Sequence, residues 1–442
     1  MGIDVLKPQS DGYEENCGAF NVLLRQDPAA IVTPRTTAEV IGAIEYAKAE
    51  GLRIGAQRTG HAAEPLGDLT ETVLVRTAAL DTVSIDAERR VARVGAGALW
   101  GDLVPRASEL GLAACHGSSP TVGIVGYSLG GGVGWYGRKH GLQGNRVTAV
   151  ELVDAEGSER RVDADSDPEL FWALRGGGGD FGVVTALEFE LLPIAEVFAG
   201  ALFFPLERAG EVMHAWHTFT ATAPEEITSV ARVMNFPPIP EIPEPMRGNS
   251  FAIVEAVALL PEAEATEVLT SLREMGPAMD TFETQPPARI AGLHMDPPEP
   301  CPYASHGMLL GDLPGEAIDA LLGAIGPDSG SKLLSVELRH DGGAMGRGAP
   351  EHGAMDALPG SFMLFGVGIV PEPAAMAPTR QWLDAMNEAM APWDAGRYLN
   401  FSHEHEDIGV AFPPETVERL RAAKATYDPE NLFHANHPVV SG

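Results

Sequence analysis

Three groups of residues have the types and spacing to do chemistry. The densest lies in 117–142, where Gly117, Gly123, Gly126, Gly130, Gly131, Gly132, Gly134, Gly137 and Gly141 crowd together with almost no charge before Arg138. Glycine at that density marks backbone that passes close to something or is held at positive φ. An ordinary amphipathic helix would not carry it, because each interior glycine costs ~1 kcal/mol relative to alanine. Bare N–H groups that can approach an anion suit a diphosphate, so the first chemistry implied is a nucleotide cofactor. The alternative is a surface loop, for which the run is too long and too apolar. The second group is Gln57-Arg58-Thr59-Gly60-His61, a polar turn after a strand-like run, where ligands collect in α/β sheets. In the third, His403 and His405 in Ser402–Asp407 would set two imidazoles on one face of a strand beside carboxylates. No H-E-x-x-H helix or third histidine motif supports a metal there, so a solvated polar segment and no metal are expected. Gly132, Gly134 and Gly137 also spell G-x-G-x-x-G, but Arg138-Lys139-His140-Gly141 follows instead of an apolar helix, so the dinucleotide fingerprint is not assigned.

The elements that must hold these groups read as follows. Ala30-Ile31-Val32 is a short strand. Thr36 and Glu39 form a capping box ahead of Val40, Ile41, Ile44 and Ala47 at helical spacing, and Gly51 closes the helix before a strand at 52–55. This compact βαβ unit makes its two strands parallel and delivers the turn at Arg58–His61. Strands are expected at 73–75, 83–85, 91–94, 147–153 and 183–192, a helix from Trp100 to Glu109, and a short helix at 170–175 before a second glycine run, Gly176–Gly179. Further on, 236–247 and 297–302 are proline-rich loops. Between them 251–260 reads as a strand and 262–275 as a helix.

The chain has 442 residues, enough for two domains with sizeable cores, and its 45% hydrophobic content is that of a globular protein. A formal charge of −32 excludes nucleic acid and disfavours anionic membrane surfaces. Three cysteines, Cys17, Cys115 and Cys301, are too few and too scattered for a disulfide framework or a zinc module. No signal-peptide pattern opens the chain and no apolar run reaches membrane length, so a cytoplasmic protein, monomeric or homodimeric, is expected.

The order of motifs carries a resemblance. R-x-G-H at 58–61 is followed by P-T-V-G-x-x-G-x-x-x-G-G-G-x-G from Pro120. L-F-W-A-L-R-G-G-G-G-x-F-G-V-V-T then starts at Leu170, Y-L-N-F at Tyr398, and K-A-T-Y-D-P-E-N-L-F at Lys424. Together they resemble the berberine bridge enzyme-like flavoproteins of the vanillyl-alcohol oxidase and p-cresol methylhydroxylase superfamily. The likeness covers roughly 15–195 and 395–440, and Glu337–Ala344 is similar to a signature of the family's substrate domain.

The resemblance implies an α+β fold. A PCMH-type FAD-binding domain of two α/β subdomains would span 1–195, and a substrate domain with an antiparallel sheet backed by helices would span 196–394. The segment 395–442 would return to the first domain. It implies FAD held by Arg58, Thr59, Gly60, His61, Ser119, Pro120, Thr121, Val122, Gly123, Gly126, Ser128, Gly131, Gly132, Gly134, Gly141, Leu142, Gly179, Val183, Asn400 and Asn436. His61 would bond covalently to the flavin. Relatives with a second, cysteine tether carry the thiol where this chain has Ser119, and Cys115, in an expected strand, is out of register, so no 6-S-cysteinyl link is expected. Tyr398 would take the substrate's hydroxyl proton, its phenol made acidic by Arg339, His340 or Arg397, while hydride passes from an alcohol-type carbon to flavin N5. A small residue at Val122 implies access of O2, hence an oxidase making H2O2 from a small organic or sugar-like substrate. A dehydrogenase using another acceptor and a non-catalytic FAD-binding relic stand as alternatives. A zinc hydrolase built on His403 and His405 would leave the glycines unexplained.

Overall fold

A computed structural model describes residues 2–440. The first sheet has three parallel strands in the order Ala30–Val32, Thr72–Arg76, Arg53–Gln57. The expected βαβ unit is there, but Thr72–Arg76 lies between its two strands, a long-range pairing that local pattern does not reveal. The crossover helix Thr37–Glu50 starts where Thr36 Oγ1 accepts from Glu39 N at 3.3 Å and ends at Gly51, φ +69°. Its apolar face, Val40, Ala43, Ile44 and Ala47, is fully buried.

The second sheet is antiparallel and five-stranded, in the order Val83–Asp86, Val91–Gly95, Val183–Glu190, Val147–Val153, Glu159–Val162. Trp100–Glu109 is helical with the expected limits. The glycine stretch differs from expectation: Ile124–Leu129 forms a short helix inside it, with Ile124, Val125 and Leu129 buried in the core. Cys115 likewise lies outside any strand, two residues past an isolated bridge between Ala113 and Leu192.

Every strand of the third, nine-stranded sheet lies between Val197 and Gly396. Its centre runs antiparallel through Val197–Pro205, Ser250–Ala258, Ile227–Asn235, Ser335–His340, Phe362–Ile369 and Tyr303–Leu310. The helices Ala209–Thr220, Gly315–Ile325 and Met376–Met390 pack on one face, and Trp216, Leu321 and Met386 are fully buried there. The other face carries charged side chains toward the glycine turns.

The C-terminal segment clamps onto the first two sheets. Ile54 N donates to Leu432 O and His434 N to Ile54 O, extending the parallel sheet by one bridge. Lys424, buried in the helix Pro414–Tyr427, donates to Asp180 Oδ1 at 3.1 Å and Asp428 Oδ2 at 2.7 Å, while Val439 N donates to Asp180 Oδ2. Among the described residues no helix is long and apolar enough to cross a membrane.

Candidate active site

Four backbone segments converge on one cavity of about 1300 Å³: the turn Gln57–Ala63, the stretch 117–133, the glycine run 176–182 and the tail 435–439. Glycine is required at Gly60, φ +77°, where a Cβ would come within 2.9 Å of Ala19 Cα. At Gly126, Gly178 and Gly179 the reason is different. All three line the cavity and a Cβ on any of them meets no atom within 4 Å, so side chains there would fill the space itself. A floor of bare backbone open to a long cavity fits an extended nucleotide cofactor such as FAD.

His61 stands at one end of this floor. Its ring stacks on Phe20 with centroids 3.7 Å apart, and Nδ1 lies 2.8 Å from Thr59 Oγ1. Burial, with a smaller push from His403, lowers its pKa to about 3, so the imidazole is neutral. Asn436 holds the same turn by donating to Ala62 O.

The opposite wall is the open face of the nine-stranded sheet. Along Ser335–His340 the two-residue alternation sends Ser335, Glu337 and Arg339 to the cavity and Val336 and Leu338 to the helix layer. Glu337 and Arg339 end a chain of buried charges. Arg232 Nη2 donates to Glu255 Oε1 at 2.5 Å; Glu255 Oε2 lies 2.5 Å from His294 Nδ1; His294 Nε2 lies 2.6 Å from Glu337 Oε2; Arg339 Nε donates to Glu337 Oε1 at 2.7 Å. Burial and Arg232 oppose a charge on His294, but Glu255 and Glu337 outweigh them and lift it to about 9. Burial opposes ionisation of Glu337, yet Arg339 and His294 hold its carboxyl well below the usual range. Asp296, on a loop beside this wall, accepts from Ser118 Oγ at 2.7 Å and lines the cavity.

Of the residues expected to hold cofactor, Arg58, Thr59, Gly60, His61, Ser119, Val122, Gly123, Gly126, Gly179, Asn400 and Asn436 line the cavity. Pro120, Thr121, Ser128, Gly131, Gly132, Gly134, Gly141, Leu142 and Val183 do not, and instead shape the backbone behind it. Gly132 is one example: at φ +82°, its Cβ would sit 2.7 Å from Gln143 Cβ. Gly182 and Val184 line the cavity where Val183 was expected, one strand residue off.

Two residues expected to be catalytic do not line the cavity. Tyr398 is 3% exposed and lies behind the wall; its hydroxyl oxygen receives N–H bonds from Gly132 and Val133 at 3.0 Å and from Asn400 Nδ2 at 2.8 Å. Burial raises its phenol to about 12, against those bonds, which tie it to the glycine turn. His340 is on the helix side of its strand, stacked on Phe362 at 5.4 Å and bonded by Arg138 Nη1 at 2.6 Å. Burial and Arg138 drive it down to about 3. Arg397 pairs with Asp394 at 2.8 Å and is absent from the cavity wall. Cys115 is buried with Ala113, Trp135 and Tyr136, its thiol pushed up to about 11 by burial.

Residues 28–163 match the family described as "FAD binding domain", and residues 397–440 the one described as "Berberine and berberine like". The chain is 24% identical over 441 residues to the "Uncharacterized FAD-linked oxidoreductase YgaK" of Bacillus subtilis, covering 97% of this chain and 94% of that one. It is 35% identical over 190 residues to "(R)-6-hydroxynicotine oxidase" of Paenarthrobacter nicotinovorans, a match to 42% of this chain and 41% of the relative. The solved structure "Physcomitrella patens BBE-like 1 wild-type" shares the fold, with TM-score 0.85 at 20% identity over 100% of this chain and 98% of that one.

Proposed function

The chain belongs to the berberine bridge enzyme-like FAD-linked oxidoreductases, and we propose that it is an oxidase acting on a CH–OH carbon, with O2 as acceptor and H2O2 as product. One observation carries this reading. A single cavity has the glycine turns and the C-terminal tail as its floor and a buried charged wall opposite, which leaves room for a flat cofactor with a small substrate above it. Bound FAD would accept hydride at N5 and pass two electrons to O2. The small Val122 on the floor supports the oxidase over the dehydrogenase.

The residues divide the rest. The floor segments would hold the dinucleotide, with His61 bonding the flavin covalently and Ser119 offering no second tether. The domain division we adopt is accordingly 1–195 with 395–442 for cofactor and 196–394 for substrate. Asp296 would take the proton role in place of Tyr398: it lines the cavity, Ser118 fixes one of its oxygens, and the hydroxyl proton of a bound substrate would go to its carboxylate. The test is anaerobic titration of the yellow protein with an alcohol panel, followed by air. Bleaching of the visible band and one H2O2 per flavin on reoxidation are expected; a flavin that no alcohol bleaches would leave a binding protein, and one that bleaches but recolours only with an added acceptor a dehydrogenase.

A further inference from the structure

The charged wall ends in a guanidinium with open donors. Along it the signs alternate, Arg232 positive, Glu255 negative, His294 positive, Glu337 negative, Arg339 positive, so three cations share two carboxylates. Arg232 is 2% exposed and gives Nη2 to Glu255 and to His294 O, while its Nη1 meets Met234 Sδ at 4.0 Å and its Nε has no partner. Arg339, 8% exposed, gives Nε to Glu337, and among the described residues neither Nη1 nor Nη2 has a protein hydrogen bond. It has no second ion pair among the described residues; Asp296 and Asp341 act on it through space without pairing with it. A guanidinium so deeply buried with two open donors, aimed into a cavity, is a receptor for a planar anion, because its fork matches a carboxylate with two parallel hydrogen bonds.

The surroundings fix the rest of the ligand. Arg339 lies 4.9 Å over the Phe401 ring, and Met234, Phe236, Phe365 and Val367 extend the same wall. These are contacts for an apolar or aromatic body. Resting on the oxidase reading, we propose that the substrate is a hydroxy acid with such a body, its carboxylate held by Arg339 and its hydroxyl directed to Asp296.

The test uses the holoenzyme and the pair benzoate and benzamide, which share a ring and differ in charge. Binding is read from perturbation of the flavin's visible spectrum and from the shift in Tm. Benzoate is expected to bind at least tenfold more tightly. Arg339→Met should erase that preference, and Arg339→Lys should keep part of it, with FAD content checked in both. Equal affinity for the two probes, a preference that survives in Arg339→Met, or no binding of either at millimolar concentration overturns the proposal. If Arg339→Met does not fold, loss of part of the preference in Arg339→Lys carries the test, and an unchanged preference there overturns it. The oxidase reading fails separately: benzoate preference without bleaching by any hydroxy acid would keep the anion site and discard the oxidase.

Discussion

On the proposed reading, His61 is the flavin's nucleophile, Asp296 the proton acceptor and Tyr398 a pin for the glycine turn. His61 is neutral at working pH, so a ring nitrogen keeps its lone pair, and Phe20 and Thr59 fix the ring's plane. We expect acid-precipitated protein to keep its yellow colour in the pellet, and His61→Ala to release the flavin to the supernatant. A colourless wild-type pellet would refute the covalent link. Asp296→Asn keeps the shape and removes the charge; kcat should fall ~10²–10⁴-fold with FAD retained, the range for loss of a general base. Tyr398→Phe separates the two readings of the C-terminal motif. If the phenol only pins the turn, the variant loses acceptance from two backbone amides and from Asn400 Nδ2, ~1–3 kcal/mol of stability, and keeps turnover within a few fold. A hundredfold loss of kcat at full FAD loading would return the proton role to Tyr398.

At the scale of elements, one buried lysine ties the C-terminal segment down beside its backbone bonds to Ile54. Lys424, Asp180 and Asp428 are each at most 2% exposed, and they tie the tail helix both to the loop after the second glycine run and to the strand-like residues 432–433. Replacing Lys424 with Met strands two carboxylates in the interior, a change of ~3–5 kcal/mol for a broken buried pair. The expected result is a lower Tm together with weakened flavin retention, both measurable on one sample; a normal Tm would show that the tail is held otherwise. Much of this architecture is legible in the sequence. The capped helix at 37–50, the helix at 100–109 and the polar turn at 57–61 follow from local signals, and the C-terminal motif pointed to a returning tail. The charged wall is not legible as a unit, since Arg232, Glu255, His294 and Glu337 meet only through strand pairing and a distant loop. A signal was present: Glu255 interrupts the apolar run Phe251–Ala258, and a lone charge in a buried strand needs a partner. Tyr398 and His340 lie off the cavity wall for one reason. Motif position gives proximity to the site, whereas the alternation of a strand and the depth of a loop decide which side chains reach it.

For the molecule as a whole, the buried histidines set how stability depends on pH, and they act in opposite directions. Burial drives His116 down to about 4, burial with His437 and His306 drives the half-buried His403 to about 4, and burial with Arg138 drives His340 to about 3. Each takes up a proton near pH 6.5 when unfolded but only near 3–4 when folded, so unfolding absorbs protons between those values and stability rises with pH across that window. Asp341 works against them, since burial lifts it to about 7 and its folded form keeps a proton that the unfolded form has lost. The three histidines outnumber it. His294 has the opposite sign. Its folded pKa of about 9 lies above the unfolded value, so its contribution is complete below about pH 6.5 and is lost as pH rises toward 9. That loss falls on the wall that joins the strands Ile227–Asn235, Ser250–Ala258 and Ser335–His340 over the cavity. The holoenzyme's Tm should therefore peak near pH 6.5 and decline on both sides. His294→Gln, which has no proton to lose, should lower the peak and flatten only the alkaline limb. Thermal melts of both proteins at pH 5, 6.5 and 8.5 decide it: a wild-type Tm that climbs from 6.5 to 8.5, or the same alkaline slope in the variant, would mean that the imidazolium between Glu255 and Glu337 is not what closes the wall.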